Sequence, residues 1–174
     1  EYTYFTSVAA YNYFQQGGDS LLVTRVVSGS YTAATSSAVD NLDSISAITL
    51  ETLAVGAIQN STSVEGSKGQ LPSGSRDNIR WEIISPDTAS GTFSLLIRQG
   101  DDITNQKKVL ETWTNLSLDP NASNYVSRVI GDQKQTVKTD GSTYYLQMGG
   151  QYANASRYVR VKSVKSPTLN YFDN

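Results

Sequence analysis

Residues 92–132 read TFSLLIRQGDDITNQKKVLETWTNLSLDPNASNYVSRVIGD, and the fold turns on how this stretch is divided. Phe93, Leu95 and Ile97 alternate with Ser94, Leu96 and Arg98, which is the period of two of a pleated strand. Gly100-Asp101-Asp102 breaks the run as an acidic turn. Val109, Glu111 and Trp113 then alternate with Leu110, Thr112 and Thr114 as a second strand. Asp119-Pro120-Asn121 supplies turn chemistry, because the proline ring pre-sets φ for the first central position of a type I turn. Ser123 stands where it could cap a short helix over residues 124–130. That helix carries Val126, Val129 and Ile130 on one face, and Gly131 is its stop. These are residues of architecture rather than of chemistry.

Outward from this stretch the same patterns continue. Thr6 or Ser7 caps a helix over residues 8–16, with Val8, Tyr11 and Phe14 near one stripe and Gly17-Gly18 after it. Residues 21–27 form a short apolar run rich in β-branched side chains, consistent with a buried strand. Residues 28–41, dominated by Ser, Thr and Ala, read as a loop, and residues 48–55 as a strand ended by Gly56. Residues 60–78, polar and rich in glycine, read as a mobile surface loop, too poor in apolar side chains to offset the entropy of ordering them. Strands follow at 79–84, 93–99 and 109–116, then at 144–148 and 157–164. The expected class is α+β: a mainly antiparallel sheet or sandwich of about seven strands with two short helices. Trp113, flanked by Val109 and Leu116, is expected in its core.

At 174 residues the chain is one domain or the major part of one, large enough to bury a core. It lacks an initiator Met and keeps two aromatics, Tyr171 and Phe172, near its end, so we expect a fragment of a longer polypeptide. The formal charge of −2 is uneven. Residues 1–75 hold two cations against six acids, and residues 76–174 hold twelve against ten. Neither half is the basic field of a nucleic-acid binder, and no apolar run approaches the roughly 18 to 20 residues of a spanning helix. Cysteine is absent, which removes disulfides and thiolate metal sites; histidine is absent too, which removes the commonest general base and metal ligand.

Four constellations are candidates for chemistry. Asp101-Asp102 with Asn105 suggests a calcium loop, but the twelfth position counted from Asp101 is Thr112, not a bidentate carboxylate; an acidic hairpin tip is the plainer reading. Glu82 and Glu111 lie on expected strands and could face each other as a glycosidase pair, or simply face solvent. Arg157, Arg160, Lys162 and Lys165 give the last strand a basic face, with Val159 and Val161 on the other. Such a face could dock an acidic partner or polyanion, or guard an edge strand against unwanted pairing. Tyr11, Tyr13, Tyr144, Tyr145 and Tyr158 invite base or sugar stacking, although tyrosine on regular elements normally packs. The sequons at Asn60, Asn115, Asn121 and Asn154 are about as many as chance supplies in so Ser- and Thr-rich a chain.

The order of segments resembles the tail sheath protein of contractile-tailed bacteriophages. The resemblance lies in Ile97-Arg98-Gln99-Gly100-Asp101-Asp102, Val109-Leu110-Glu111-Thr112, Asn115-Leu116-Ser117-Leu118-Asp119-Pro120-Asn121 and Asn124-Tyr125-Val126-Ser127-Arg128-Val129-Ile130-Gly131. Flanking pieces look similar to the same family: Tyr11-Asn12-Tyr13-Phe14 to Thr24-Arg25-Val26-Val27, Asp77-Asn78-Ile79-Arg80-Trp81-Glu82-Ile83 and Ser156-Arg157-Tyr158-Val159-Arg160-Val161. The resemblance implies an internal segment of a longer sheath subunit in the virion, assembled in the host cytoplasm. Its partners would be other copies of the sheath protein, with the tail tube and baseplate met through parts outside this segment. It implies no enzyme, no catalytic, cofactor or metal site, and no nucleic-acid or membrane partner. By composition alone the alternatives are a secreted or surface β-rich binding module for a carbohydrate or protein ligand, and a calcium-stabilised β domain.

Overall fold

Alternation becomes a sheet where the strands find partners. β4 (Ile79–Asp87), β5 (Thr92–Gln99) and β6 (Val109–Ser117) pair antiparallel in that order. One face of the sheet they form carries Ile79, Trp81, Leu95, Ile97 and Leu116, all buried. β3 (Gln59–Ser61) adds a fourth strand beside β4, and this pair runs parallel. A second sheet has the order β1-β2-β9, from β1 (Ala33–Val39), β2 (Ser46–Val55) and β9 (Val159–Val164). Its inward side chains, Ile48, Leu50, Val159 and Val161, join those of the first sheet in one core cluster. Val126 and Ile130 of α2 (Val126–Ile130) complete it. Burying a side chain of this size contributes about 1.5–3 kcal/mol relative to leaving it in water, so two sheets sharing one core support each other.

The computed structural model describes residues 5–23, 31–39, 46–55, 59–61, 69–70, 74 and 76–165. The chain divides into two compact units, Glu1–Ser30 and Tyr31–Asn174. In the first unit, α1 (Phe5–Gln15) is followed by Gly17 at φ 90°, and the Tyr13 hydroxyl donates to the Ser20 carbonyl at 2.9 Å. The fold class is α+β and mainly antiparallel, with nine strands and two short helices among the described residues.

The differences from the expected strands have physical causes. β1 forms within the expected loop 28–41, because β2 offers backbone partners to small side chains with little pattern of their own. β3 occupies the start of the expected loop 60–78, pairing Asn60 with Arg80 and Ser61 with Trp81. Most of that loop lies outside the described residues, as do residues 24–27 of the expected strand at 21–27; Leu21, Leu22 and Val23 belong to no strand. β7 (Lys134–Asp140) was not expected at all, and with β8 (Thr143–Gly149) it makes a separate two-stranded ribbon. A polar strand is held there by a two-residue turn, Gly141-Ser142, with Gly141 at φ 59°.

α2 also starts differently. Tyr125, not Ser123, sits at its N-cap, with no side-chain capping bond. At the other end Gly131 has φ 104°, and a Cβ there would stand 2.3 Å from the Asn154 Cα, so only glycine fits. Trp113 is half-buried at the margin of the core, whereas Trp81 is wholly enclosed.

Candidate functional site

The register of the four-stranded sheet separates the two carboxylates considered as a pair. Glu82 stands opposite Leu96 of β5, and Glu111 stands opposite Ile97. Neighbouring residues of a strand point to opposite faces, so Glu82 and Glu111 lie on opposite faces of the sheet. They do not form a two-carboxylate centre.

Each carboxylate is engaged elsewhere. Glu111 accepts from the Ser156 hydroxyl at 2.7 Å, the Trp113 indole N–H at 3.1 Å and the Arg157 amide at 2.9 Å. Ser156 Oγ in turn accepts the amides of Tyr158 and Val159, both at 3.1 Å. This chain of bonds fastens β6 of one sheet to the approach to β9 of the other. Glu82 binds Arg98 Nη1 at 3.2 Å and also Lys107.

Asp102, in the acidic turn between β5 and β6, is buried. Arg98 donates to it through Nε at 2.7 Å and Nη2 at 3.0 Å, in a two-pronged contact. Arg80 Nη1 adds a bond at 3.2 Å and the Lys108 amide one at 2.9 Å. Both arginine side chains are 0% exposed, as is Asp102. Arg80, Glu82 and Arg98 all point away from the core, so the segment carrying Asp102 and Lys107 folds back over the outer face of β4 and β5. That cover explains why β5 is buried on both faces. Asp101 pairs with Lys108 Nζ at 3.3 Å. With these partners the two aspartates hold the loop in place.

The basic face of the last strand is divided. Val159 and Val161 enter the core as expected, but Arg160 is buried against Glu51 of β2, which stands directly opposite it. Nε and Nη2 of Arg160 lie 2.8 and 2.7 Å from Glu51 Oε2, and Lys134 Nζ lies 3.2 Å from Oε1. Burial pushes the Glu51 carboxyl up, but the hydrogen bonds and charges of Arg160 and Lys134 outweigh it and hold the group below its ordinary value. Lys162 and Arg157 are exposed and Lys165 half-buried.

The tyrosines are dispersed. Tyr11 and Tyr13 lie on α1, Tyr144 and Tyr145 on successive positions of β8 and hence on opposite faces of the ribbon, and Tyr158 packs on the core. Tyr125 and Tyr152 form a ring pair at 6.2 Å with Arg128 over Tyr152 at 5.5 Å, which was not visible as a pattern. Glu51, Arg80 and Lys134 were also missed. A charge set between apolar neighbours, as in Ile79-Arg80-Trp81, is the one local sign of a buried ion pair. Comparison with known protein families, curated proteins and solved structures finds no match to this chain.

Proposed function

We propose that this chain is an internal segment of the sheath subunit of a contractile phage tail, a sleeve that surrounds the tail tube and contracts to drive it through the host envelope. What carries the reading is the resemblance through residues 97–131, in which β5, the acidic turn, β6, the Asp-Pro turn and α2 follow one another in the order of the quoted motifs. The physics of the domain is compatible with such work. A sheath converts between lattices by exchanging contacts among stiff subunits, which needs bistable interfaces and no catalytic group. Two sheets closed on one core, with a loop pinned by Asp102 across the back of β5, make a stiff unit.

The test is the polypeptide that contains this segment, expressed in full and viewed by negative-stain electron microscopy. Hollow sleeves or rings of regular repeat are the expected result. A protein that stays monomeric at every concentration and binds a sugar saturably would replace this reading with that of a β-rich binding module.

A further inference from the structure

Between β1, β2, β9 and the start of β7 lies an open cleft of about 500 Å³. That volume is on the scale of sites that take ligands of drug or short-peptide size. Two irregularities of the sheet border it. The β2–β9 register passes from Leu50 opposite Val161 to Thr49 opposite Ser163, which leaves Lys162 as the extra residue of a β-bulge. The β1–β2 register jumps between Ala33 and Thr35, where the Ala34 amide turns to the Thr52 hydroxyl at 2.9 Å. Bulges bend a strand and re-aim its side chains, and they concentrate beside functional sites.

Charge and shape then point to the ligand. Lys134, Arg160 and Lys162 line the cleft against a single carboxylate, Glu51. Both oxygens of Glu51 are engaged: one takes Arg160 and the other Lys134. Among the described residues Lys162 has no carboxylate partner, and Lys134 keeps half its side chain in solvent. The remaining walls include Tyr31, Leu53 and Val55, with Tyr31 and Val55 about half exposed. An inorganic anion would use the cations and leave those apolar walls wet. A peptide with acidic side chains uses both, laying its stems on the walls and its carboxylates on the ammonium groups.

We propose that this cleft receives an acidic peptide segment of a partner protein, with Lys162 and Lys134 meeting its carboxylates and the Glu51–Arg160 pair as the fixed floor. The inference rests on the cleft and not on the sheath resemblance; a sheath subunit and a binding module could use it equally.

Fluorescence anisotropy tests it, with this chain titrated into a labelled hexapeptide of alternating Glu and Ala, and into the same peptide with Gln for Glu. The Glu peptide should bind and weaken with added salt, while the Gln peptide binds at least about tenfold less well. Lys162→Gln, an exposed change that leaves the core untouched, should weaken the Glu peptide about 3- to 10-fold, and Lys162→Arg should restore most of the loss. No binding of the Glu peptide, equal binding of the two peptides, or an unchanged affinity in Lys162→Gln would each overturn the proposal. Complete displacement by inorganic phosphate at concentrations comparable with the peptide would also overturn it, because the site would then be one for free anions.

Discussion

β5 and β8 obey the same rule and meet different fates. Phe93, Leu95 and Ile97 of β5 are 9%, 0% and 0% exposed; Tyr144, Leu146 and Met148 of β8, with the same period of two, are 74%, 63% and 51% exposed. On the ribbon Val137, Leu146 and Met148 share one face, with Lys134 and Lys138 on the opposite one. On β5 the corresponding face closes against the second sheet and α2, and even the outer face is covered by the Asp102 loop. Alternation therefore says which side chains share a face. It does not say whether anything covers that face.

One substitution made in both strands is the sharpest test of this contrast. Leu95→Ala should cost roughly 2–5 kcal/mol in urea unfolding, since it removes a wholly buried side chain and leaves a cavity. A loss below about 1 kcal/mol would mean the core repacks freely and is not the close-packed unit described.

An intermediate effect is expected at the ion pair that ties the ribbon to the second sheet. Glu51→Gln should destabilise by about 1–2 kcal/mol at neutral pH, because Arg160 and Lys134 lose a charged acceptor. The folded state lowers the Glu51 pKa below the ordinary 4.5, so it favours the ionised form. The stabilisation is thus complete above that ordinary value and fades as the pH falls through the lowered one. Thermal melts of wild type and variant should differ at pH 7 and draw together as the pH falls below 4.5. A constant difference across that range would show that Glu51 acts through packing rather than charge.

The smallest effect should come from the ribbon. Leu146→Ala, at a position 63% exposed, should change stability by no more than about 0.5 kcal/mol. A loss comparable with that of Leu95→Ala would mean the ribbon face is covered in solution, and the contrast between the two strands would collapse.

The candidate polar sites follow the same division. Val159 and Val161 could be placed on the core side from their spacing, but Arg160 could not be separated from its basic neighbours, because its partner lies 109 residues away on β2. Asp102 looked like half of an acidic tip, since nothing adjacent in sequence announces that Arg98 and Arg80 converge on it. Gly141-Ser142 closes the β7–β8 hairpin, and the polar strand before it carries no apolar period to be noticed.

By itself the sequence determined the strands with a strong period of two, the turns at Gly100 and Asp119-Pro120, and the short helix before Gly131. Those features are local: they follow from the pleat, from the fixed φ of proline and from the freedom of glycine. Only the tertiary structure decided that β1, β3 and β7 are strands, that Glu82 and Glu111 face apart, and that Asp102 and Arg160 are buried. Each of these depends on a partner distant in the chain, and pairing energy between distant segments leaves no periodic mark on either one.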